Sequence, residues 1–381
     1  MDIITAATMD TLTDREPEPA VSLYLPTHRF GPETRQGPIR LDNLLDRARG
    51  ELVDLGMRGP DADDFLADAR ALESDDDFWQ HQEDGLAVFV DGDATQTFRL
   101  PVDVDEFAMA ADAFHLKPLW PLVSGDDLFH VLALSRGSIH LWWANRFQIG
   151  EIDLPSDIPT SLAEALWFDD PEKQLQYHGA DRTGRGRVVA TFHGHGVPEE
   201  KDDAKLDMFL RAVDGGLRHL LDADAPLVLA GVDDIVAQFR SVSDHRAIVD
   251  EHVGGNVEDD SADEIHADAV KLMQPRFDRV AGTDADAFLA AGDLAMAEPE
   301  AVAVAAARGR VETVFVPLGR HRWGRAAELV DEVVTRDERE PGDRDLFDVA
   351  ATATWTHGGR VHAVDPEDVP GAGPLAATLR W

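Results

Sequence analysis

The chain of 381 residues contains no cysteine, which excludes disulfides and thiol chemistry and leaves the compartment open. Lysine is also scarce, supplying five of the 35 basic residues. No apolar run approaches the ~18 residues of a membrane span, so no membrane partner is expected. The opening "MDIITAATMD" has no basic n-region, and a secretory signal is not expected. There is no G-x-S-x-G elbow, no Walker A loop and no G-x-G-x-x-G after a strand. "GTDADAFLAAGD" lacks the spacing of a calcium loop. These absences argue against the commonest hydrolase, nucleotide-binding and calcium-binding classes. No metal and no cofactor is called for.

Acid is what the chain has in excess. Aspartate and glutamate number 74, and the formal net charge is -39. Such self-repulsion destabilises a compact fold in dilute salt. At about 1 M salt the Debye length falls to ~3 Å and the repulsion is screened. Arginine in preference to lysine, with dispersed aspartate, points to a salt-adapted cytoplasmic protein. Acidity then reports habitat, and does not by itself exclude a nucleic-acid partner.

The length exceeds one ordinary core, and breaks in composition suggest three segments: 1–125, 126–260 and 261–381. In the first, "AVSLYLP" reads as a strand and "DADDFLADARALE" as one helix. Ile39, Leu41, Leu44, Leu45, Ala48, Leu52 and Leu55 give helical spacing before a glycine stop at Gly56. "GLAVFVDG" and "TQTFRLPV" read as a strand pair turning at "DGDA". The second segment opens as an antiparallel meander joined by "SRGS" and "ANR". A strand "VVATF" and a helix from Glu199 to Asp222 follow, then "APLVLAGV" as a buried strand and "DDIVAQFRSV" as a helix. The third reads as an α/β/α sandwich. Its helices are "EIHADAVKLMQPRFDRV", "DADAFLAAGDLAMAE", "PEAVAVAAARG" and "DLFDVAATATWTHGG", and its strands "RVETVFVPLG", "RVHAVD" and "GPLAATLRW".

Against so acidic a background, basic clusters carry information. His28, Arg29, Arg35 and Arg40 surround a Gly/Pro loop. Arg182, Arg185 and Arg187 alternate with glycine in "DRTGRGR", and Arg320, His321, Arg322 and Arg325 form "RHRWGR". Flexible Gly/Arg loops suit phosphate contact. Trp142, Trp143 and Trp323 can stack on bases or pack in a core. After "VVATF" comes "HGHG", His193 to Gly196. Two histidines one residue apart share a strand face, and with His178 they could ligate zinc. The same stretch also reads as a plain turn, or as a functional loop at a helix N-terminus that attracts phosphate.

The order of these elements resembles the archaeo-eukaryotic class I release factors and Pelota. "HVLALSRGSIHLW", "FHGHG", "DMFLRAVDGGL" and "APLVLAGVDDIVAQF" follow the order of their middle domain. "RGRVETVFVPLG", "GGRVHAVD" and "GPLAATLRW" look like the L7Ae-like third domain. "VSLYLPTHR" and "DDDFWQHQEDGLAVFV" are similar to the N-terminal part of the bacterial-type branch, which includes the hibernation factor Balon. The resemblance implies an α/β protein of three domains: an α/β N-terminal domain, an RNase H-like middle domain and an L7Ae-like C-terminal one. It also implies partners: the ribosomal A site, tRNA or rRNA, and a translational GTPase. RNA contact would fall on Arg182, Arg185, Arg187, His193, Gly194, His195 and Gly196, with Arg29, Arg35 and Arg40.

The family's loop reads "HGRGGQ". His193, Gly194 and Gly196 match its first histidine and glycines. His195 stands for the arginine, Val197 for a glycine and Pro198 for the catalytic glutamine. Proline has neither an N–H nor an amide side chain. The expectation is a ribosome-binding factor of hibernation, rescue or quality control. The alternative is a peptidyl-tRNA ester hydrolase using His193 or His195.

Overall fold

In a computed structural model the described residues are 2, 4–15, 19–123, 128–168, 198–258, 260–325 and 334–381. The fold is mixed α/β, with sixteen described strands in four sheets. Two compact units divide the chain. One combines residues 1–127 with 276–381, and the other is residues 128–275.

In the first unit, β1 (Ala20–Pro26) lies between β2 (Gly85–Val90) and β4 (Phe107–Ala111), with β3 (Thr95–Leu100) outside β2. All pairs are antiparallel. Both faces of β1 are covered, so it reads as an apolar run. Val21, Leu23 and Leu25 join the core formed with helix Gln36–Asp54, while Ser22 and Tyr24 face the other way. That helix buries Leu41, Leu44, Leu45, Ala48 and Leu52. Ile39 and Leu55, assigned to the same stripe by spacing, are exposed. Two residues before Leu41, Ile39 sits about 200° round the helix, and Leu55 is past its last turn. The single helix expected over "DADDFLADARALE" is two short ones, Gly59–Phe65 and Ala67–Ala71, interrupted at Leu66, whose backbone leaves helical values.

The same unit contains β10 (Ala295–Met296), β11 (Val311–Pro317), β15 (Arg360–Val364) and β16 (Ala376–Leu379), ordered β10-β16-β11-β15. The β11/β15 pair is parallel. Helices Pro299–Ala307 and Leu346–Thr356 pack on each other, and the second also packs on β11 and β15. A small sheet joins β12 (Trp323–Arg325), β13 (Val334–Arg336) and β14 (Arg344–Asp345). One helix, Ala262–Ala290, replaces the two expected over "EIHADAVKLMQPRFDRV" and the start of "DADAFLAAGDLAMAE", with Pro275 inside it. "GDLAMAE" is a turn and the short β10 rather than helix. Proline removes one helical N–H, and a sufficiently long helix absorbs that loss.

The second unit is a five-stranded sheet, β7-β6-β5-β8-β9. The strands β5 (Phe129–Leu134), β6 (Ile139–Ala144) and β7 (Ile149–Glu151) form the expected antiparallel meander. The strands β8 (Leu227–Gly231) and β9 (Ile248–Gly254) add in parallel. Helix Pro198–Leu220 buries Leu206, Phe209, Leu210, Val213 and Leu217 against Leu132, Leu141, Leu227 and Leu229. Full burial of each such side chain stabilises by roughly 1.5–3 kcal/mol. Trp142 is buried and Trp143 is half-buried, its ring packed over Gly150. Among the described residues no helix is long and apolar enough to cross a membrane.

Candidate functional site

The residues on which the sequence concentrated its RNA contacts and chemistry lie outside the described residues. These are Arg182, Arg185, Arg187, His193, Gly194, His195 and Gly196, with His178. Pro198 opens the described helix that follows.

The first basic cluster is described. The loop leaves β1 at Pro26 and is pinned at once, Thr27 donating through its N–H to Asp84 and through its hydroxyl to Glu83. Arg29 is ion-paired with Glu83 at 2.9 Å and Asp84 at 3.0 Å. Arg40 donates to the Pro26 carbonyl at 2.9 Å and pairs with Glu106 at 3.3 Å. Arg35 ends a 3₁₀ turn and is exposed. Two of these three arginines therefore stitch the loop to its own strand ends, and Arg35 leaves its charge in solvent.

The third cluster, "RHRWGR", leads to a site the sequence did not mark. Asp345 is fully buried at the N-terminus of helix Leu346–Thr356 and caps it, accepting from Phe347 N at 3.1 Å. Its second oxygen accepts from the ammonium of Lys117, and His321 Nδ1 lies 2.9 Å away. Arg322 N adds a bond of 3.0 Å. Lys117 is itself buried, and it also donates to the Arg320 carbonyl. Burial opposes the charge on Asp345, but Lys117 first, then His321 and His115, outweigh it and hold the carboxyl far below its ordinary range.

Beside it, Asp348 accepts from Leu116 N at 3.0 Å and lies 3.3 Å from His115 Nδ1. The His115 backbone is held by Ser22 Oγ and by the Tyr24 hydroxyl. Burial, and then the negative charge of Asp348, push the Tyr24 phenol well above its usual range. The polar face of β1 is thus what fixes the 115–117 segment. In sequence, "HLKPLWPL" carries no periodic signal that would reveal a buried lysine.

His115, His321 and Asp345 bring ligand-type atoms within 4.8 Å of one another. The donor set would suit a divalent ion. The ammonium of Lys117, however, already sits on Asp345 and 3.3 Å from His321 Nδ1, so the chain supplies the cation itself.

Over this cluster lies a group of near-parallel rings. His321 and Trp323 are 4.7 Å apart and 13° from coplanar, and Phe107 and Trp323 are 6.3 Å apart and 9° from coplanar. The Arg339 guanidinium covers both Phe107 and Trp323 and pairs with Glu51. Burial raises the Glu51 carboxyl, against the Ala110 N–H and Arg339, which lower it. A cavity of about 440 Å³ opens beside Arg339 and Phe107.

Residues 129–275 match the sequence model of bacterial archaeo-eukaryotic release factor family 7. That segment spans the described sheet of the second unit, and over it the chain is similar to the bacterial archaeo-eukaryotic release factors. No curated protein matches the chain. Among solved structures, an archaeal translation termination factor aRF1 is 14% identical over 100% of this chain and 99% of its own, with a TM-score of 0.25. Archaeoglobus fulgidus Pelota is 13% identical, covering 78% of this chain and 79% of its own at a TM-score of 0.31. S. cerevisiae Dom34 is 12% identical, covering 77% and 74% at 0.35.

Proposed function

We propose that this protein is a cytoplasmic, ribosome-associated translation factor that enters the A site without the family's ester chemistry and acts in hibernation, rescue or quality control. The observation that carries it is the release-factor match over residues 129–275; reading Pro198 as standing for the family's glutamine is what removes the chemistry. Pro198 begins helix Pro198–Leu220, the position where a missing N–H costs least. It offers no carboxamide to place a water on an ester and no N–H for a developing oxyanion. The partners this reading implies are tRNA or rRNA, contacted through Arg182, Arg185 and Arg187 and through His193 to Gly196, and a translational GTPase. It retains a three-domain organisation with an RNase H-like middle and an L7Ae-like end.

The test is sedimentation of the protein with ribosomes from its host in molar KCl, in growing and in stationary cells. A ribosomal peak that rises in stationary phase supports hibernation, and a peak on stalled polysomes supports rescue. Absence from every ribosomal fraction overturns the reading. In parallel, purified protein is incubated with peptidyl-tRNA on ribosomes. Peptide release that His195→Ala abolishes would establish hydrolysis in its place.

A further inference from the structure

We propose that the cavity beside Arg339 is a binding site for one unpaired guanine nucleotide of RNA. This deepens the ribosome-associated reading and rests on it for the source of the RNA.

Arg339 is held at its guanidinium by two rings and a carboxylate. Its guanidinium carbon lies 5.8 Å from the centre of Phe107 and 5.5 Å from that of Trp323, over two rings 9° from parallel. Its charge is paired with Glu51, whose other oxygen accepts from Ala110 N at 2.8 Å. The rings themselves are fixed from below, because His321, stacked on Trp323, lies 2.9 Å from the buried carboxylate of Asp345. An arginine tethered at its charge and lying over aromatic rings is preorganised, and its side-chain entropy is already spent.

Arg339 also lines an open cleft of about 440 Å³ with Phe107, Arg47 and the carboxylates of Asp46, Glu51, Asp54 and Glu106. That volume lies at the small end of the ~300–1,000 Å³ typical of small-ligand sites, and suits one nucleotide. Bases of single-stranded RNA stack on guanidinium planes as they do on aromatic rings.

The remaining walls select the base. Asp54 and Glu106 are carboxylates, which only accept hydrogen bonds; Glu106 already pairs through one oxygen with Arg40, so Asp54 is the one assigned to the base edge. Guanine presents N1–H and N2–H side by side, the donor pair a carboxylate accepts most completely. Uracil has a single N–H between two carbonyls that a carboxylate would repel. Arg47, exposed on the helix Gln36–Asp54, is the cation available for the phosphate. With so many acids near, that contact depends on the screening that high salt provides.

The experiment measures anisotropy of labelled hexauridylate carrying one central guanosine, and of the all-uridine hexamer, with the full chain in 1 M KCl. Stacking is open to either base, so the hydrogen bonds of the guanine edge to a carboxylate should set the preference, about 10- to 150-fold for the guanosine oligomer. Arg339→Lys keeps the charge but loses the plane and should abolish the preference. Asp54→Asn should reduce it. Arg47→Glu, at an exposed position, should weaken both oligomers equally. Circular dichroism of each variant separates loss of binding from loss of fold. Equal affinity for the two oligomers, or no binding to either, overturns the proposal. So does displacement by a basic hexapeptide but not by GMP, which would mark the cavity as a peptide site. Ribosome sedimentation of the same variants keeps the two readings apart. Guanosine preference without ribosome binding sinks the functional reading alone. Ribosome binding without guanosine preference sinks this one alone.

Discussion

Replacing Lys117 with methionine is the most informative single perturbation of this fold. Methionine keeps the unbranched stem and removes the ammonium. Asp345, at 0% exposure, would then lose its principal counter-charge while still accepting from Arg322 N and Phe347 N. Removing one partner of a buried ion pair typically costs about 3–5 kcal/mol, because the other charge stays buried. The expected loss at pH 7 is of that order, read as a lower denaturant midpoint with unchanged slope. The pH dependence carries the sharper test. In the parent protein the Asp345 carboxyl is depressed, so its stabilisation is present above the unfolded value near 3.9 and fades only as pH falls toward the folded value. In Lys117→Met burial acts with less opposition and the folded value rises. Protonation then relieves the stranded charge, and the gap between variant and parent should narrow as pH falls from 7 toward 4. Lys117→Met/Asp345→Asn should recover part of the loss at pH 7. Urea unfolding followed by circular dichroism in 2 M KCl at several pH values measures all three. A loss below about 1 kcal/mol, or one that does not vary with pH, refutes the account of Asp345 as a charge neutralised mainly by Lys117.

Three further outcomes are expected. The melting temperature of the parent should rise between 0.1 M and 2 M KCl, since the -39 net charge is screened; a flat response in a thermal scan would remove the salt-adaptation reading. Asp284, hydrogen-bonded by Arg360 and His362 at 2.7 and 2.8 Å, has its carboxyl lowered to about 2 although burial opposes this. Its stabilisation is present above about pH 4 and lost as pH falls toward 2. Asp284→Asn should therefore be destabilising at pH 7 and near neutral at pH 2, by the same unfolding assay. Gly150→Ala would place a methyl 2.4 Å from the Trp143 ring. Overpacking of this kind costs about 1–3 kcal/mol, and a melting temperature equal to the parent's would show that the ring moves aside.

The sequence by itself determined whatever depends on neighbours along the chain. The stripe from Leu41 to Leu52 appeared as a helix because its spacing repeats the helical turn. The β5–β6–β7 meander appeared because short apolar runs alternate with turn residues, and Gly309 closes helix Pro299–Ala307 from the left-handed region glycine favours. The release-factor resemblance of the middle segment also rested on element order and short local motifs, and the family match falls there. Misreadings came at the ends of elements. Ile39 and Leu55 fit a period yet sit off the face or past the terminus, and the two helices expected on either side of "AGT" are one continuous helix.

Tertiary structure alone decided which distant residues meet. Lys117 and Asp345 are 228 positions apart, and Arg339 and Glu51 are 288 apart. "HLKPLWPL" and "RHRWGR" read as punctuation and as a basic surface. Brought together, they become a buried ion cluster under a layer of rings. No local pattern encodes this, because a buried lysine differs from an exposed one only in what the rest of the chain places around it. The same holds for the joining of residues 1–127 with 276–381 in one unit. Periodicity reports the face an element buries, and the partner for that face is chosen only when the whole chain packs.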